Sequence, residues 1–163
     1  MAREQDALAL LTHDHTVIKK LFRDYEDLLG LPGDPERKAQ IVGEICFQLS
    51  IHMQIEEEVF YPAVRTSLGW TALIDHALSD HLGGKELIAK LDEMEPVDAD
   101  FDASVAVLGA YILPHMDDEQ AVIFQEVRRA GLNTAALGQR MAQRQKVLRD
   151  HSGSSSFDQR VGA

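Results

Sequence analysis

Apolar side chains recur three and four positions apart along most of the chain, and strict alternation is scarce, so the pattern is that of helices rather than strands. Short Gly- and Pro-bearing breaks divide it into five segments. The first predicted helix runs from about Asp6 to Leu29 and stops at Gly30-Leu31-Pro32-Gly33. Asp34-Pro35, a capping residue followed by a proline, opens a second that continues to about Ser67, with a kink expected at Pro62. A third spans about Thr71 to Met94, and a fourth runs from Phe101 to Gly131, with Pro114 inside it predicting a kink or a freed carbonyl. Asn133 or Thr134 caps a short fifth helix reaching about Arg149, and the Ser- and Gly-rich residues beyond read as a mobile tail. The expectation is all-α: a four-helix bundle with a short fifth helix as one domain over residues 1–149, and a flexible tail over residues 150–163.

The apolar stripes of the four long segments are interrupted in the same way. The first reads Leu8, Leu11, His15, Ile18, Phe22, and the second Ile45, Leu49, His52, Glu56, Val59, Ala63. The third reads Ile74, Ala77, Leu78, His81, Gly84, Ile88, and the fourth Val105, Leu108, Ile112, His115, Glu119, Val122. Residues four apart share a helix face, so His52 with Glu56, and His115 with Glu119, point the same way, toward the core.

These positions form an internal repeat. Asp14-His15 with Lys19 and Leu21 matches Asp80-His81 with Lys85 and Leu87, and His52-Met53 with Glu56 matches His115-Met116 with Glu119. Two ionised glutamates in one apolar interior would each cost several kcal/mol, on the order expected for a desolvated charge, and would repel one another. The stripes contain no Lys or Arg to compensate. One or two metal cations would satisfy both carboxylates and the imidazoles together, and this donor mixture suits iron, manganese or zinc.

Composition narrows the field further. With 163 residues and 45% hydrophobic side chains, the chain can bury one full core. The formal charge of −11 argues against a nucleic-acid partner, which needs clustered cations. The single cysteine, Cys46, cannot form an internal disulfide and is read as a packing residue. No uninterrupted apolar run suggests a signal peptide or membrane span, so a cytoplasmic location is expected.

With these residues in hand, the sequence resembles the hemerythrin-like proteins carrying the HHE cation-binding domain. The resemblance rests on Asp14-His15…Leu21-Phe22, on His52-x-x-x-Glu56-Glu57…Tyr61-Pro62 and on His115-x-x-x-Glu119. It implies an up-down bundle around a non-haem di-iron centre, with His15, His52, His81 and His115 as terminal ligands and Glu56 and Glu119 bridging or chelating two irons. The sequence departs from the oxygen carriers of that family at Ala77, where a further histidine would stand, and at Gln120, where their last carboxylate would be. Its set of four histidines and two glutamates looks closer to the hemerythrin-like domain of an iron- and oxygen-sensing ubiquitin-ligase subunit.

The function expected from this is binding of two iron ions in order to sense or handle iron, O2, peroxide or a related small oxidant, without turnover of an organic substrate. The alternatives are a di-iron peroxidase or oxidase, and a metal-gated interaction module whose fifth helix carries Arg140, Arg144, Lys146 and Arg149 toward an unidentified protein partner. His76 is a weaker candidate for an additional ligand, since five residues separate it from His81. His13 and His151 read as bystanders. Asp14, Asp80, Glu57 and Glu58 are expected to orient other groups or to face solvent, and Tyr111 to pack in the core or reach toward the metals.

Overall fold

In the computed structural model, residues 6–69 and 71–158 are described. Helix α1 (Ala7–Leu29) is capped by Asp6, whose carboxylate accepts from the backbone N–H of Leu8 and Ala9. Asp34 likewise accepts from Arg37 N–H, and Pro35 takes the first position of α2 (Pro35–Ile55). A π turn over Glu56–Phe60 joins α2 to α3 (Tyr61–Leu68), which ends at Gly69 in the left-handed conformation. The pattern repeats after α4 (Thr71–Asp92): α5 (Phe101–Asp118) passes through a π turn over Glu119–Ile123 into α6 (Phe124–Ala130), which ends at a left-handed Gly131. Helix α7 (Thr134–Asp158) follows, with Asn133 accepting from Ala136 N–H. The molecule is therefore an all-α bundle of four long rods with a fifth helix laid against it, and no strand occurs among the described residues.

Where a kink is expected at Pro62, the helix carries a π turn just before it, and a second π turn follows α5. In each, an N–H bonds five residues back: Tyr61 to Glu56 O, and Phe124 to Glu119 O. Pro62, which has no N–H to give, falls near where the ladder returns to its usual spacing. The second turn has no proline beside it, so the proline is not required. Pro114 leaves α5 continuous.

Each π turn shifts the phase of the residues that follow. Val122, expected on the inward stripe, is 45% exposed, and Ile123 and Phe124 are buried in its place. Residues five apart, Glu56 with Tyr61 and Glu119 with Phe124, come to share one face.

The core is two apolar layers with a polar layer between them. One layer gathers Leu11, Ile55, Phe60, Val64, Phe124 and neighbours, and the other Ile18, Phe22, Ile45, Leu49, Leu108 and Ile112. Helix α7 buries Leu137 and Met141 against the first. It begins where the Thr134 hydroxyl donates to the same Asp6 carboxylate that caps α1. It also passes the expected end at Arg149 and continues to Asp158, since the Ser and Gly residues there weaken a helix without removing an N–H as proline would. Residues 159–163 of the expected tail lie outside the described residues. No helix among the described residues is long and apolar enough to cross a membrane.

Cys46 is buried in the second apolar layer, as its position in the sequence suggested. Burial, aided by Asp92, pushes its thiol up to about 12, so very little thiolate is present at neutral pH. In native protein at pH 8 a disulfide reagent is therefore expected to modify Cys46 at least about 100-fold more slowly than in urea-unfolded protein. Equal rates in the two states would show that the thiol is accessible.

Candidate metal centre

The polar layer is made of the six residues singled out from the sequence. His15 comes from α1, His52 from α2, His81 from α4 and His115 from α5, and Glu56 and Glu119 are the first residues of the two π turns. All six are buried. Their inner atoms face one another closely: His15 Nε2 is 3.1 Å from His52 Nε2, and His81 Nε2 is 3.2 Å from His115 Nε2. Glu56 spans the two pairs, with Oε1 3.2 Å from His52 Nε2 and Oε2 3.1 Å from His81 Nε2. Glu119 Oε2 lies 3.2 Å from His15 Nε2. Two groups result that could each hold a metal ion, His15–His52–Glu56–Glu119 and Glu56–His81–His115.

The outer nitrogen of every imidazole meets an acceptor. His15 Nδ1 donates to Gln120 Oε1 at 2.9 Å, and His52 Nδ1 to Asp14 Oδ2 at 3.3 Å. His81 Nδ1 donates to Glu57 Oε1 at 3.0 Å, and His115 Nδ1 to Asp80 Oδ2 at 3.1 Å. Such partners place a proton on Nδ1 and turn Nε2 inward. Four inner nitrogens and two carboxylates thus converge, with the phenol of Tyr61 beside them.

That donor set fits a cation. Glu56 Oε1 and Glu119 Oε2 are buried and accept no hydrogen bond, although a histidine nitrogen lies 3.2 Å from each. Neither approach has hydrogen-bond geometry. The field of the cluster draws positive charge. Burial disfavours a charged His81, yet hydrogen bonds to Glu56 and Glu57 outweigh it and raise the imidazole to about 9. Burial likewise opposes charge on His52, where Glu56 and Asp14 prevail and raise it. Burial and the nearby Glu56 push Glu119 above the usual carboxylate range. Protons and metal ions compete for these atoms, and metal binding must release protons.

Tyr61 is the functional residue the sequence reading passed over, quoting it only as part of a motif. Its hydroxyl donates to Glu119 Oε1 at 2.9 Å and lies 3.4 Å from both Glu56 Oε2 and His81 Nε2. Burial, then Glu119 and Glu56, hold its pKa well above that of a free phenol, so it keeps its proton. The π turn puts it there: on a regular helix a residue five after Glu56 would point away. Gln120, noted only as a departure from a pattern, is the outer partner of His15 for a related reason. Tyr111 does neither thing expected of it, being 41% exposed with its hydroxyl against Gly83.

The remaining polar residues fall into place. Asp14, Asp80 and Glu57 orient histidines, and Lys85 holds Glu57 from the other side at 2.6 Å. Glu58 is on the surface, paired with Arg144. His13 and His151 are exposed. His76 has a side chain 76% exposed, 3.8 Å from Asp80, and contributes nothing to the cluster. It stands instead at a cavity of about 180 Å3 between α4 and α5, lined also by Ala77, Asp80, His115 and Glu119.

Comparison with known proteins agrees with this geometry. The crystal structure of a hemerythrin HHE cation binding domain-containing protein from Mycobacterium kansasii matches with a TM-score of 0.77 at 23% identity, covering 96% of this chain and 93% of that one. At that identity the likeness speaks for the fold. A DNA nickase of Nostoc sp. is 25% identical over 115 residues, a match that takes in 71% of this chain and 31% of the relative, so the chain spans less than a third of that protein's length. The model of the hemerythrin HHE cation binding domain matches residues 6–127, which hold every residue of the polar layer. The chain belongs to the hemerythrin HHE cation-binding domain family.

Proposed function

We propose that the polar layer holds two metal ions, iron in the first instance, and that the protein senses or handles iron, O2, peroxide or a related small oxidant. The observation that carries this reading is Glu56, whose two oxygens reach separate histidine pairs at 3.2 and 3.1 Å. A carboxylate so placed would be shared between the residues that hold the two ions. His15, His52 and Glu119 would complete one position, and His81 and His115 the other. Bound iron would supply redox and Lewis-acid chemistry toward a small oxidant.

The chain's own residues supply the setting. The apolar layers on both sides keep bulk water from the centre. The four outer acceptors fix the imidazoles before metal arrives, which lowers the ordering cost of binding. Tyr61 offers the one phenolic proton at the centre. The second position has three donors against four at the first. The cavity beside Ala77 and His115 gives a molecule the size of O2 or peroxide an approach to that less crowded side.

A second reading, a metal-gated module, has one observation in its favour: the matched region is 31% of a longer relative, so the domain also occurs joined to other activities. A peroxidase or oxidase would be recognised by steady-state consumption of peroxide or O2, and a sensor by a single stoichiometric oxidation. A cytoplasmic setting suits the lone unpaired cysteine. The charge of −11 disfavours direct contact with nucleic acid.

Anaerobic reconstitution with iron(II) is expected to load two ions per chain by elemental analysis and to raise the melting temperature by about 5–10 °C at saturating metal. Glu56→Gln should abolish loading at both positions. Glu57→Gln, which weakens only an outer contact, should cost about 10-fold in affinity. Equal effects of the two substitutions would contradict the assignment.

Glu119→Gln should act in opposite directions with and without metal. It removes a buried charge that repels Glu56 while keeping an acceptor for Tyr61. The metal-free protein should therefore melt about 2–4 °C higher in chelator, and the gain on adding metal should largely disappear. A lower melting temperature in chelator would show that the carboxylate stabilises the fold by itself.

A further inference from the structure

Helix α7 lies beyond the residues matched to the family, 6–127, yet it reaches the metal centre. Gln145 Nε2 donates to Asp14 at 3.1 Å (Oδ2) and 3.3 Å (Oδ1), and Asp14 Oδ2 in turn accepts from His52 Nδ1. The chain Gln145–Asp14–His52 is shielded: the Asp14 side chain is 9% exposed. An amide anchored on a packed helix fixes the carboxylate, and the fixed carboxylate fixes the imidazole and keeps it basic.

The matching aspartate in the other half lacks this support; there Lys85 instead holds Glu57, the partner of His81. Asp80 plays the part of Asp14 toward His115, but among the described residues no second side chain from another helix donates to it, and its side chain is 24% exposed. Its other described neighbour is His76, one turn back on the same helix at 3.8 Å. Where α7 covers α1 and α2, the corresponding seam of α4 and α5 opens into the cavity of about 180 Å3.

We propose that Gln145 is a positioning residue for His52, acting through Asp14, and that α7 thereby makes the two metal positions unequal. An ion at His15, His52 and Glu119 is retained, and one at His81 and His115 exchanges. The inference rests on the two-metal reading above.

The test is release of iron from the anaerobically loaded full-length protein into excess iron(II) chelator, followed by stopped flow. Wild type should release iron in two phases of equal amplitude. Gln145→Leu, and independently Gln145→Ala, should speed the slow phase by about 3- to 10-fold and leave the fast phase alone. Arg144→Leu breaks the pair between α7 and Glu58 without touching Asp14, and should leave both phases as they are. In zinc-loaded protein, one of the four imidazole Nδ1–H resonances should move in the Gln145 variants.

A single release phase in wild type, or matching effects of Gln145→Leu and Arg144→Leu, would overturn the proposal and leave the two-metal reading standing. Failure of the wild-type protein to load iron at all would overturn both.

Discussion

The crowding of imidazole nitrogens and carboxylates in a buried interior is the constraint on which this structure depends. Four imidazole nitrogens and two carboxylates converge at about hydrogen-bond distance, and their outward sides are already occupied by acceptors. A low-dielectric surrounding magnifies their repulsion. Positive charge at the centre attracts every one of those atoms, and the same low dielectric magnifies that attraction. The elevated proton affinity of His52 and His81 is one sign of that demand. The unpaired oxygens of Glu56 and Glu119 are another.

Holding such a layer in place requires stiffness above and below it. The two apolar layers supply that, and the π turns set the aim. By closing a hydrogen bond across five residues, each turn lets a glutamate and an aromatic ring occupy one face without breaking the rod. The rings then border the imidazoles: Phe124 lies nearly parallel to His15, with centroids 5.9 Å apart, and Tyr61 is tilted against His81 at 5.4 Å. The backbone irregularity is thus part of how the site is built.

The bundle and the six convergent residues were legible because a regular helix repeats its face every three or four residues, and His52 with Glu56 or His115 with Glu119 keep that spacing. What followed each glutamate was not legible. A π turn leaves no mark in hydropathy, so Val122 was placed inward when Ile123 is buried, and Tyr61 went unassigned although it touches the site. Tyr111 was expected to pack in the core or reach toward the metals, whereas it is 41% exposed and covers Gly83 at the seam of α4 and α5. The reach of α7 was underestimated because serine and glycine lower helix propensity without forbidding the conformation. Its grip on Asp14 depends on a tertiary contact between residues 131 positions apart, which spacing along the chain cannot reveal.

Tyr61 and Phe124 hold matching places in the two halves, each five residues beyond its glutamate. The two helix pairs repeat one pattern within one polypeptide, and that joining permits something a true homodimer could not have. A single oxygen atom, present on one ring and missing from its twin, engages Glu119 at 2.9 Å and stands farther from Glu56, at 3.4 Å, so the two carboxylates meet it unequally. Two identical subunits would carry that hydroxyl twice or not at all, and their carboxylates would be equivalent.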